Sequence, residues 1–339
     1  MVHRIKIDEK AGICITTHIL GGLSVIHLFS STVLWALPQV RGLFSWPNPL
    51  YSHRFSNDRL QTYVRPYAHC EYDNGYLVFD NEDGEKEVWR LASDFATEGE
   101  VAAHAPPNDH QMDASARATT VYHQYAPRGQ FRAWALLVYP CLTRAYRLAY
   151  PTLICASFKK AFLHDVRTGA LVKTIDISAQ SLCYVDVNER HAFVCQPSVV
   201  RVYSRESGSE ILRIPADAAV RRNRLVEDPA FDKFVTPLTV SPKVDKSRPR
   251  FIAGVFSYPL VQRDFMLTSH IAHVSRDGRD LVVLSETDRV VFIRDFERVC
   301  RGETSLEQAG LSLSMQSQDE CCYLGFEHGR VCVATVCIS

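Results

Sequence analysis

Two groups of residues have the types that nucleophilic chemistry requires. Cys155 precedes His164 and Asp165, and His191 precedes Cys195. A nucleophile needs a thiol or hydroxyl beside a base, with an acid to orient that base. Both cysteines lie within apolar runs, where a free cysteine behaves as a small hydrophobe. Core packing is therefore expected, and no catalytic residue is assigned. His270 and His273 stand three apart, a spacing that pairs ligands on a helix. They flank Ile271 and Ala272 at the start of an apolar run, and in a strand such positions point to opposite faces. The adjacent pair Cys321 and Cys322 lacks the Cys-x-x-Cys spacing of a zinc or redox site. No metal ligands are expected. The sequence contains no Gly-x-Ser-x-Gly elbow, phosphate loop or Gly-x-Gly-x-x-Gly, so no cofactor is expected either. The carboxylates Glu82, Asp83, Glu85 and Glu87 read as the solvated tip of a hairpin.

The elements that must position these residues repeat. Residues 151–215 hold two copies of one pattern, short apolar runs separated by tight polar turns, with the last run following a glycine. Those glycines, Gly169 and Gly208, are 39 residues apart. A period of about 40 with four short strands per unit marks a β-propeller blade. Asn74-Gly75 and Asp83-Gly84 give hairpin turns. Trp89 follows Gly75 by 14 residues, as Phe292 follows Gly278. Asp165, Asp277 and Asp295 each stand before a turn whose backbone N–H groups a carboxylate can accept.

Residues 11–37 read as most of a blade, with a hairpin at Gly21-Gly22. They contain His18, His27 and several Ser and Thr residues, too polar for a membrane span of about 20 apolar residues. Residues 39–62, 96–117 and 216–250 lack alternation and read as loop insertions. The second and third are expected to be cut first by protease and to bear on partner choice. Residues 303–320 read as another loop. No long amphipathic helix is expected. The fold class is all-β: one propeller domain over 1–339, with six to seven degenerate WD-like blades, some incomplete.

Composition narrows the function. Lys plus Arg and Asp plus Glu are 38 each, so the net charge is zero, without the basic excess that phosphate neutralisation favours. The basic run Arg221, Arg222, Arg224, Lys243, Lys246, Arg248 and Arg250 is broken by Asp and Pro and reads as a solvated loop. Neither nucleic acid nor membrane is expected as a partner. Eleven cysteines, an odd number in a long chain, fit a reducing intracellular compartment, cytoplasmic or nuclear. Trp46 and Tyr51 at loop tips are candidate partner anchors.

Four blocks carry a family resemblance: AHCEYDNGYLVFDNEDGEKEVWRLASDF, YPTLICASFKKAFLHDVRTGALVKTI, YVDVNERHAFVCQPSVVRVYSRESG and DGRDLVVLSETDRVVFIRDFERVCRGE. They resemble the WD-repeat-like propeller of F-box proteins of mushroom-forming fungi. The resemblance implies a propeller that holds a target for a cullin ubiquitin ligase, joined through an N-terminal F-box to a Skp-type adaptor. Residues 1–10 are too few for that helical module of about 45 to 50 residues, so the adaptor is not an expected partner.

Two function classes follow. One is a non-catalytic scaffold whose loops bind protein partners of unknown identity. The other is a propeller hydrolase or lyase with its site in the central channel. Four or more convergent titratable groups from the innermost strands of different blades would favour the enzyme.

Overall fold

The computed structural model describes residues 2–37, 63–81, 83–97, 99–177, 181–182, 184–215, 221–222, 271–275, 277–285, 289–314, 320–327 and 330–336. The chain forms two compact units, one of residues 1–192 with 203–209 and one of 193–202 with 210–339.

Alternation of apolar and polar residues drives the first unit into successive antiparallel meanders. The first sheet comprises β1 (Val2–Asp8), β2 (Ile13–His18), β3 (Leu23–His27) and β4 (Val33–Leu37), in that order. β1 arises from residues whose polarity hid a strand. Ile5 and Ile7 are exposed, while Lys6 and Asp8 on the opposite face bond Glu71 and Tyr72 of the next sheet. The second sheet is β5 (Cys70–Asp73), β6 (Tyr76–Asp80), β7 (Lys86–Leu91) and, after helix α1 (Asp109–Val121), β8 (Phe131–Leu137). Asn74 and Gly75 both take positive φ, 46° and 81°. That is the two-residue turn that closes Asp73 onto Tyr76.

The third sheet holds β9 (Ala145–Ala149), β10 (Thr152–Ala156), β11 (Lys160–Asp165) and β12 (Ala170–Asp176). The fourth holds β13 (Tyr184–Val187), β14 (His191–Gln196), β15 (Val199–Ser204) and β16 (Glu210–Pro215). Gly169 and Gly208 open the fourth strand of each, at φ 72° and 81°. The repeated unit is as the sequence shows it, except that the first copy starts with β9.

In the second unit, β17 (Arg221–Arg222), β18 (Ile271–Val274), β19 (Leu281–Ser285), β20 (Arg289–Ile293), helices α2 (Phe296–Cys300) and α3 (Leu306–Ala309), and β21 (Gly310–Ser314) precede the hairpin β22 (Glu320–Glu327) and β23 (Arg330–Val336). β18 to β21 pair in antiparallel order, and β17 adds to β21 in parallel. This corrects two loop readings. Residues 303–320 contain α3 and the fourth strand of a sheet, and Arg221 and Arg222 lie in a strand rather than a solvated loop. The remaining residues of 216–250 from that basic run, and the whole of 39–62 with Trp46 and Tyr51, lie outside the described residues.

Sheets stack through shared cores. Ile13, Ile15, Val25 and Trp35 of the first sheet meet Phe79, Trp89 and Phe131 of the second in one buried cluster. The opposite face of the second sheet, with Val88, Trp134 and Leu137, meets Leu148, Leu153 and Cys155 of the third. Both faces of β6 are buried as a result, which accounts for its continuous apolar run.

Helix α1 corrects the loop reading of 96–117. It buries Gln111, Ala114, Ser115 and Ala118, and Ala114 and Ala118 join the first core cluster. Small residues let the helix lie close to β8, where Ser115 Oγ accepts the Ala133 N–H at 3.1 Å. Asn108 caps it, its side chain accepting the Gln111 N–H at 2.8 Å. Replacing Asn108 with Ala is expected to cost about 1 kcal/mol. Chemical denaturation would read the loss, and an unchanged midpoint would show the cap to be idle. Limited proteolysis is now expected to spare 109–121.

Candidate functional site

The first strands of the four sheets bring charged groups together in the first unit. Glu71 on β5 is 2% exposed and accepts from Lys6 Nζ of β1 at 3.0 Å, from Arg147 Nη1 of β9 at 3.0 Å and from His69 Nε2 at 2.7 Å. Arg147 also lies 3.7 Å, by its Nε, from Asp186 of β13. The order along β1, β5, β9 and β13 is cation, carboxylate, cation, carboxylate. Burial alone would raise the Glu71 pKa. Arg147, the His69 hydrogen bond and Lys6 outweigh it and hold the carboxyl well below its usual range.

Four charged groups from the first strands of four sheets are therefore linked. The carboxylate at the centre of this group is compensated by its neighbours and stays ionised. A general acid needs a proton near the working pH, and Glu71 has none there. The arrangement fastens four sheets by alternating charge, and leaves Lys6 and Arg147 partly exposed, at 22% and 29%. Since the Glu71 pKa is lowered by folding, its stabilisation is complete above the unfolded-state value near 4.5 and is lost as pH falls below it. Glu71→Gln should lower stability at pH 7 by about 2 kcal/mol, a figure tempered by the exposure of its partners. It should also flatten the acid limb of the stability curve. Equal acid limbs in the two proteins would remove Glu71 from this role.

A second polar cluster lies beneath Gly84. Lys86 is buried, pairs with Asp80 Oδ1 at 2.7 Å, and donates to the Gly84 carbonyl at 2.8 Å and Thr143 Oγ1 at 2.7 Å. Its ammonium stands 5.0 Å from the centre of the Tyr146 ring. Arg65 pairs with the same Asp80. A buried lysine needs this degree of compensation.

Cys155, His164 and Asp165 come near one another without forming a nucleophilic set. Tyr139 intervenes, its hydroxyl donating to Cys155 Sγ at 3.0 Å and lying 3.4 Å from His164 Nδ1. Burial pushes the Cys155 thiol up to about 12 and the His164 imidazole down to about 4. Both are neutral at pH 7, the reverse of an activated thiolate–imidazolium pair. Asp165 turns away to accept from the Arg167 backbone N–H at 2.9 Å and from its guanidinium, the turn-fixing role its position suggests. Asp277 does the same for Arg279 N–H at 3.2 Å. Asp295 instead takes φ 44° and accepts from the Arg279 guanidinium at 2.8 Å, so it clamps a side chain rather than a turn. His191 and Cys195 are four residues apart on β14, about 13 Å by strand rise, too far for proton transfer.

His273 is a buried residue of β18 opposite Val282. His270 lies outside the described residues. Cys321 and Cys322 lie on β22. Among the described residues, no three His, Cys, Asp or Glu side chains gather as a metal site, and no helix is long and apolar enough to cross a membrane.

Glu87 corrects the solvated-tip reading. It pairs with Phe79 across β6 and β7, on the face that carries Trp89. Its Oε2 accepts from Tyr63 OH at 2.8 Å and Trp89 Nε1 at 2.9 Å. Burial raises its pKa to about 7, against the lowering effect of those two hydrogen bonds. Of the acidic group, Asp83 is exposed and Glu85 half-buried, while Glu82 lies outside the described residues.

No protein-family model matches the chain, and no curated protein matches it in sequence. Similar solved structures include the computationally designed Ika8 protein, at TM-score 0.49 and 10% identity, over 99% of this chain and 71% of that one. The Cps50 (Swd1) β-propeller domain of Myceliophteria_thermophila is similar at TM-score 0.44 and 6% identity, over 86% of this chain and 64% of that one. U3-55K is similar at TM-score 0.45 and 9% identity, over 86% and 60%. This chain thus spans less than two thirds of the length of the last two. Likenesses of this degree assign no function to it.

Proposed function

We propose that the chain is a WD-like β-propeller serving as a non-catalytic protein-interaction scaffold. The observation that carries this reading is the pairing of Lys6, Glu71, Arg147 and Asp186 on consecutive first strands. In a propeller the first strands surround the axis, where a channel enzyme would place its acid and base. Here the charges are engaged with one another and lock the sheets. A rigid stack of sheets then presents its turns and loops, and recognition falls to them.

The finer reading, resting on the four resembling sequence blocks, is the target-binding propeller of an F-box-type ubiquitin-ligase receptor. Affinity purification of the full chain, with mass spectrometry of what is retained, tests both levels. Reproducible protein partners at near-equal amounts are expected, and a Skp-type adaptor among them would support the ligase link. A chain that retains no protein and turns over a small-molecule ester or glycoside would overturn the scaffold.

A further inference from the structure

Between the third and fourth sheets lies a groove of about 540 Å³, within the range of about 300–1,000 Å³ typical of ligand sites. Its apolar surface is Val172 of β12, set over the buried Leu163 of β11. Val172 is 60% exposed, high for an aliphatic residue in a strand. β12 is also the edge strand of its sheet, and an edge offers backbone N–H and C=O groups to an extended segment.

The opposite wall mixes charges, with Arg205 and Arg190 beside Glu189 and Glu206, and Lys173 of β12 reaches across to it. Arg205 is half-buried and fixed, its Nη1 donating to the Asn188 carbonyl at 2.5 Å and its Nη2 to Thr152 Oγ1 at 2.8 Å. Among the described residues no carboxylate lies within the 4.0 Å of an ion pair with Arg205. Burial lowers its pKa, Glu189 acting in the opposite sense, as expected of a guanidinium whose charge is incompletely compensated. Lys173 Nζ donates to the Glu206 carbonyl at 2.7 Å. That bond uses one of its three N–H groups. The rim also carries Glu189 and Glu206, which would repel a run of acids but tolerate one placed at the guanidinium.

We infer that this groove docks an extended peptide segment bearing one carboxylate flanked by aliphatic side chains. An aliphatic residue covers Val172, and the carboxylate is received by Arg205 and Lys173. The inference rests on the scaffold reading and gives that scaffold a defined partner chemistry.

Selection of a degenerate heptapeptide phage library on the full chain tests it. Enriched sequences should hold a single Asp or Glu between Val, Ile or Leu. A synthetic peptide of the enriched sequence should bind at least tenfold more weakly to Arg205→Ala and to Val172→Glu. Val172→Glu alters an exposed side chain, so it keeps the test decisive where loss of the Arg205 hydrogen bonds impairs folding. Enrichment without an acidic position, no enrichment, or peptides that bind both variants like the parent would overturn the inference. Affinity purification of Val172→Glu beside the parent separates the two readings. Partners retained by both, with a failed selection, would discard the groove and leave the scaffold standing. No partner on either would discard the scaffold itself.

Discussion

Replacing Trp89 with Ala is expected to destabilise the first unit by about 3–5 kcal/mol, the range for truncating a buried Trp. Trp89 is fully buried at the centre of an aromatic cluster. Its ring lies 5.5 Å from Trp35, 6.0 Å from Tyr63 and 6.2 Å from Phe79. Trp35 belongs to the first sheet and Phe79 to the second, so the substitution opens a cavity at the joint between them. It also removes the indole N–H that Glu87 accepts, leaving a buried carboxyl with one donor fewer. The equivalent change at Phe292 should cost less. Phe292 lies on the third strand of its sheet, as Trp89 does, but pairs with Val282 and is only half-buried. Thermal and denaturant unfolding of both variants would decide. An unchanged melting temperature for Trp89→Ala would mean that the two sheets do not meet through this ring.

The parts legible in the sequence were those with local causes. The Gly169 and Gly208 turns, the Asn74-Gly75 hairpin and the alternation around them identify sheets, because strand period and positive φ are properties of adjacent residues. Helix α1 packs with Ala and Ser instead of Leu or Phe, so its buried face carries no hydrophobic contrast in the sequence. A signal was nonetheless present. Asn108 followed three residues later by Gln111 is a helix-start pattern, and the structure uses it. Glu87 sits in the sequence beside Glu82, Asp83 and Glu85, whose charges mark a solvated tip. Its place two residues before Trp89, on the same face of the strand, pointed inward instead. The Glu71 cluster had no sequence signature, since Lys6 and Arg147 lie 65 and 76 residues away along the chain. Only the stacking of sheets brings first strands side by side.

The last expected result follows from Glu87. Folding raises its pKa from 4.5 to about 7, so the native state favours the protonated carboxyl. The associated stability is present in full below the unfolded-state value and is lost as pH rises through about 7. Above that, Glu87 must ionise between Phe79, Tyr63 and Trp89, or the protein must unfold. The difference of roughly 2.5 pK units corresponds to about 3 kcal/mol by pH 9. Glu87→Gln keeps an oxygen to accept from Tyr63 and Trp89 but has no charge to bury. The stability of the variant relative to the parent should therefore rise by about 3 kcal/mol between pH 5 and pH 9. Glu71 and the other carboxylates are common to both proteins and cancel in the difference. Denaturant unfolding at half-unit pH steps would measure it. Parallel curves across that interval would show that Glu87 titrates as an ordinary exposed carboxylate, and that water reaches the aromatic cluster around it.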